Sequence, residues 1–149
     1  MTKFYINIFM VYCILFTLNV QAEIIGGVEF PDGDISFADE IISFNVGSYA
    51  ASPHIESSNA LGTPEVAGNE VSQYCVSLGN NGTLIVKFTD NSLTTSGNSA
   101  NDLWIFEGGP VIEKTFVYIS TDCTNWISVG SISGATSGID IEHPIQISW

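Results

Sequence analysis

Two acidic-amide pairs in one short stretch have the types and spacing that suit a hard cation. In residues 88–107 (FTDNSLTTSGNSANDLWIFE), Asp90-Asn91 and Asn101-Asp102 stand at the two feet of a loop of Ser, Thr, Asn and Gly. If the apolar-alternating segments 83–89 and 103–106 pair as antiparallel neighbours, Asp90 and Asp102 meet at one end of a sheet. Carboxylates that close need a cation, a donor or a proton between them. Asn91, Asn101 and loop carbonyls complete an all-oxygen set, which is the ligand chemistry of a structural Ca²⁺. Zinc is disfavoured, because His54 and His143 are far apart in sequence and thiols that are paired do not ligate. The spacing is not that of an EF-hand: the sixth position counted from Asp90 is Thr95, where that loop needs glycine. The plainer reading of the same residues is a solvated loop with Asx-turns at its feet.

Glu107 does not belong to that set, since it lies roughly 17 Å from Asp102 along an extended strand. With Asn59 and Glu65, from the irregular stretch 48–70, it is a candidate for a second polar cluster; its plainer roles are an ion pair with Lys114 or solvent exposure. Tyr49 and Tyr74 flank the same stretch and are candidates for stacking on a sugar ring, whereas Trp104 and Trp126 read as core. Glycoside hydrolysis needs two carboxylates about 5–10 Å apart flanking a cleft. Asp90 and Asp102 could meet the distance, but nothing near them supplies a general-acid environment. The chain has no G-x-S-x-G elbow and no phosphate-binding glycine loop. The expectation is therefore a non-catalytic protein.

Composition fixes the setting in which such a site would work. Lys3 followed by an apolar run to Val20, then Val20-Gln21-Ala22, has the form of a cleavable signal peptide over residues 1–22, with the secreted chain beginning at Glu23. No later stretch is long and apolar enough to span a bilayer. The whole chain carries a formal charge of −13, and loss of Lys3 makes it more negative still. That balance argues against nucleic acid or an anionic membrane as partner. Cys75 and Cys123 remain as an even pair, expected to form a disulfide in an oxidising compartment. The bridge would close a loop of about 49 residues, worth roughly 4 kcal/mol in the chain-entropy model.

The elements that must position these residues all read as strands. Residues 23–40 are acidic, with Gly26-Gly27 and a Pro31-Asp32-Gly33-Asp34 turn signal, and form a leader or first edge strand. Strand composition follows at 41–46, 71–78, 83–89, 103–106, 115–120, 126–132 and 139–141. Asn80-Asn81-Gly82 is a tight-turn signal between two of these segments, and a second turn spans 121–125. Asn81-Gly82-Thr83 is also a glycosylation sequon, read here as a turn. No window has helical periodicity over three turns. Residues 41–149 therefore read as one all-β domain, an antiparallel β-sandwich.

Four blocks taken in order resemble a known module. Residues 59–65 (NALGTPE) are similar to an ALGxPD-type loop of secreted and cell-surface bacterial proteins. Val76-Ser77-Leu78-Gly79 and the stretch from Gly82 to Asn91 resemble its second block, and residues 101–107 (NDLWIFE) its third. Residues 119–126 (ISTDCTNW) resemble the S-x-DG-x-x-W hairpin of galactose-binding-like, discoidin-like β-sandwiches. That resemblance implies a jelly-roll binding module, often carrying Ca²⁺, used in glycan recognition or adhesion. Cys123 stands where the hairpin turn has glycine. His143 to Trp149 is a short substitute for the last core strand or a truncated end. The expected partner is a glycan or a surface or matrix protein; the alternative is a structural extracellular protein without a specific ligand, and a small hydrolase ranks below both.

Overall fold

The computed structural model describes residues 21–64, 74–109 and 113–142. Among the described residues the chain is all-β, with antiparallel pairing throughout and helix limited to two 3₁₀ turns, Gly33–Ser36 and Ser57–Ala60. Eight strands are described: β1 (Glu23–Ile25), β2 (Val28–Phe30), β3 (Glu40–Asn45), β4 (Thr83–Lys87), β5 (Leu103–Phe106), β6 (Thr115–Ile119), β7 (Ile127–Ile132) and β8 (Thr136–Ile139). They form four two-stranded ladders, β1–β2, β3–β4, β5–β8 and β6–β7. Residues 23–30 form a hairpin whose Gly26 and Gly27 both take positive φ, the backbone of a two-residue turn that matches strand twist.

One sequence expectation needs correction. Strand β4 does not pair with β5; it pairs with β3, from Glu40↔Lys87 to Asn45↔Thr83, and β5 pairs with β8, from Leu103↔Ile139 to Phe106↔Thr136. The connection over residues 88–102 is too long for a tight hairpin, so it is free to pass from one ladder to another. Residues 75–78, expected within a strand that ends at the Asn80-Asn81-Gly82 turn, are not in a strand. The turn itself is present, with Asn81 at φ 60° and the Gly82 N–H donating to the Gly79 carbonyl. The second expected hairpin is present as β6–β7.

The core lies where the last three strands meet. Val117, Val129, Ile132, Ile139 and Ile141 are buried together, with Leu93, Leu103, Ile105 and Ile119 packed against them. Leu93 comes from the middle of the 88–102 connection, so an apolar anchor as well as polar contacts holds that loop to the sheet. A one-residue shift of register between Val117 and Tyr118 lets Val129 turn inward beside Gly130, which takes φ 127°. All four residues of β5 are half-buried, in keeping with a strand covered on both faces, but Trp126 is 41 % exposed and does not plug the core.

Candidate functional site

The carboxylates singled out in the sequence are tied to backbone. Asp102 immediately precedes β5; its Oδ1 accepts the Ser96 N–H at 2.6 Å and its Oδ2 accepts the Ile141 N–H at 3.0 Å. Its own N–H donates to the Ile139 carbonyl. Burial works against its charge, but the hydrogen bonds from Ser96 and Ile141 outweigh it and lower its pKa. Glu107 immediately follows β5 and does the same at the other end. Its Oε1 accepts the Glu113 N–H at 3.2 Å, its Oε2 accepts the Gly134 N–H at 2.8 Å, and its own N–H donates to the Ala135 carbonyl. Strand β5 is thus clamped to both ends of β8 by carboxylates. Lys114, the expected ion-pair partner of Glu107, instead places its ammonium 5.1 Å from the centre of the Phe116 ring.

The other foot of the loop makes its contacts elsewhere. The Asn91 side-chain amide donates to the Ile35 carbonyl, and its Oδ1 is buried without a hydrogen-bond partner. Next to it, Asp39 Oδ2 accepts the Thr89 N–H at 2.6 Å; that bond, with help from the Asp90 N–H, lowers the Asp39 pKa. Asn101 lies against Gly138 of β8, where an added Cβ would collide with the Asn101 amide. Asp90-Asn91 thus belong to the β3–β4 side and Asn101-Asp102 to β5–β8. Among the described residues no group of three or more His, Cys, Asp or Glu side chains is placed to hold a metal ion. Asp102 thus already receives two backbone N–H groups, and Asn91 and Asp102 make their hydrogen bonds to different segments.

The remaining candidates fall on a pair of loops. The segments around 47–54 and 75–80 run side by side: the Gly47 N–H donates to the Leu78 carbonyl, Ser48 and Asn80 exchange backbone hydrogen bonds, and the Ser77 N–H donates to the His54 carbonyl. The Ala51 N–H donates to Ser77 Oγ. Tyr49 and Tyr74 are carried by these segments, 93 % and 50 % exposed, and Tyr49 holds φ 63°, a costly conformation for a bulky residue. Asn59 lies in the 3₁₀ turn Ser57–Ala60, and Glu65 lies outside the described residues. The expected disulfide is not formed: Cys75 sits within the loop pair with Sγ 3.5 Å from His54 Nδ1, while Cys123 is exposed in the β6–β7 turn at φ 57°. The positive φ explains why glycine suits that turn position.

Sequence reading missed the most exposed aromatic surface of the described residues apart from Tyr49. Strand β6 turns Val117 inward and Phe116 and Tyr118 outward, 63 % and 50 % exposed. Across the ladder Phe116 faces Ser131 and Tyr118 faces Ser128, so two aromatic rings stand beside small hydroxyl side chains. Asp122 fixes the turn that ends this ribbon. It accepts the N–H groups of Asn125 at 2.7 Å and Thr124 at 2.8 Å and the Asn125 amide at 2.7 Å, with Ser120 Oγ also donating. These bonds, the Asn125 N–H first, hold its carboxyl far below the usual carboxylate range. Comparison of the chain with protein-family models, with curated proteins and with solved structures gave no match. The arrangement places flat apolar rings beside hydroxyl side chains on one strand face.

Proposed function

We propose that this chain is a secreted, non-catalytic β-sandwich module of galactose-binding-like type that binds an uncharged glycan across the outer face of β6–β7. The observation that carries this reading is the pair Phe116 and Tyr118, exposed side by side on one strand face. Burying such rings under a ligand is favourable at roughly 25 cal/mol per Å² of apolar area. Sugar rings present apolar C–H faces to aromatic planes, while Ser128 and Ser131 offer hydroxyls to their polar rims. The charge of −13 repels polyanionic chains and favours a neutral polysaccharide. Tyr49 and Tyr74, on the loop pair, are the second candidate contact. Calcium is not part of this reading, because the Asp102 carboxylate already receives two backbone N–H groups.

A glycan array, followed by titration with the neutral polysaccharides that bind, tests the proposal. Phe116→Ala and Tyr118→Ala are each expected to weaken binding by about tenfold or more, the scale of a single interface anchor. Tyr49→Ala serves as the comparison. Equal loss in all three variants, or loss in Tyr49→Ala alone, would move the site to the loops. A second reading, a structural extracellular protein without ligand, is favoured by the carboxylates that clamp backbone instead of facing a cleft. A silent array with a well-folded protein would establish that reading instead.

A further inference from the structure

We propose that Cys75 and His54 form a thiol–imidazole pair that makes Cys75 a nucleophilic thiol, a site for mixed-disulfide formation with small organic disulfides. Cys75 Sγ lies 3.5 Å from His54 Nδ1, within hydrogen-bond range for sulfur, and both residues are half-buried. The backbone holds the two in place. The Ser77 N–H donates to the His54 carbonyl at 2.6 Å, the His54 N–H donates to the Ala51 carbonyl at 2.8 Å, and Ser77 Oγ accepts the Ala51 N–H at 3.0 Å. This cross-loop ladder keeps thiol and ring together. Cys123 is the built-in contrast: it is exposed in the β6–β7 turn.

The chemistry is exchange coupled to proton transfer. With its own proton on Nε2, the His54 ring accepts the Cys75 proton at Nδ1 as the sulfur attacks one sulfur of an incoming disulfide, RSSR. A new S–S bond forms between Cys75 and one RS group as the old S–S bond breaks. The other sulfur leaves as RS⁻ and takes up a proton from the imidazolium or from water. One disulfide is consumed, one is formed, and no other oxidant is needed. A small disulfide such as glutathione disulfide, abundant where proteins are oxidised, is the co-reactant this requires.

The test uses the full chain with one target thiol at a time. Cys13→Ser with Cys123→Ser leaves Cys75, and Cys13→Ser with Cys75→Ser leaves Cys123. Each protein is reacted at neutral pH with 4,4′-dithiodipyridine, an uncharged disulfide, both native and unfolded in guanidinium chloride. A half-buried thiol without activation reacts more slowly folded than unfolded; Cys75 is expected to react about tenfold faster folded. Cys123 is expected to react no faster folded than unfolded. His54→Gln should bring the folded Cys75 rate down to the unfolded rate or below it, and mass spectrometry after glutathione disulfide treatment should find the adduct on Cys75. A folded Cys75 rate below its unfolded rate would overturn the proposal, and that comparison needs no variant at His54. A folded His54→Gln protein with an unchanged Cys75 rate would overturn it equally.

Discussion

At Asp102 each carboxylate oxygen receives one backbone N–H, from Ser96 on the loop side and from Ile141 beyond β8. Hydrogen bonds to a charged acceptor are shorter and stronger than neutral ones, and here they join segments that share no ladder. Asp102→Ala is expected to lower stability by about 2 kcal/mol, since two N–H groups lose their acceptor. Asp102→Asn, which keeps one acceptor oxygen, should fall between the two proteins. Chemical denaturation measures both, and added Ca²⁺ should leave the midpoint of the parent protein unchanged; a Ca²⁺-dependent rise that Asp102→Ala abolishes would restore the cation reading. The importance of this residue was legible in the sequence, because a carboxylate at the foot of a polar loop needs a partner. Which partner it has was not legible. The Ile141 N–H comes within reach only once β8 lies against β5, and no spacing within residues 88–107 encodes that. Phe116 and Tyr118 were hidden for a different reason: in TFVYI both faces are apolar, so alternation identifies a strand without saying which side is covered.

Among the elements, ladders that follow local turn chemistry were readable and those made across long connections were not. The β1–β2 and β6–β7 hairpins close over short turns, whereas β3–β4 and β5–β8 join strands separated by long stretches of chain. Sequence neighbours usually pair, and that tendency misdirects the β4–β5 assignment. The loop pair carrying His54 and Cys75 depends on backbones that approach closely enough to exclude a Cβ. At Gly82 an added Cβ would fall on the Leu78 carbonyl, and at Gly79, itself at φ 72°, it would lie 2.8 Å from the Gly47 and Ser48 carbonyl oxygens. Neither clash is relieved by turning a side chain, since the atoms struck are backbone. Gly82→Ala is therefore expected to destabilise by about 2–3 kcal/mol, as overpacking does, and to separate Cys75 from His54. Gly62→Ala is the control: it meets nothing within 4 Å, so its cost is limited to its positive φ of 71°. Denaturation midpoints and the Cys75 reaction rate report the two effects separately.

On the scale of the whole molecule, a small apolar cluster is set against a large net negative charge. The buried group around Val117, Val129, Ile132, Ile139 and Ile141 is modest, and the chain has 16 Asp and Glu against 3 Lys and Arg. Lys87 meets Glu40 at 3.5 Å on the surface, an exposed pair of little energetic weight. Self-repulsion then opposes compaction at neutral pH. Raising ionic strength from about 0.01 M to about 0.15 M shortens the screening length from roughly 30 Å to roughly 8 Å, so Tm at pH 7 should rise with added salt. Acid acts in two opposing ways. Protonating ordinary carboxylates relieves repulsion as the pH approaches the sequence pI of about 4.1. Asp39, Asp102 and Asp122 run the other way, because their folded pKa values lie below the ordinary 3.8. Their contribution is complete above that unfolded value and is lost as pH falls through their folded values. Tm should therefore climb gently from pH 7 towards about pH 5, then fall below about pH 4 as Asp39, Asp102 and Asp122 are protonated. Thermal melts at several pH values, each with and without salt, check both halves. A salt-insensitive Tm at pH 7 would remove repulsion as the limiting factor, and a Tm that keeps rising below pH 4 would mean that the clamps do not hold the fold.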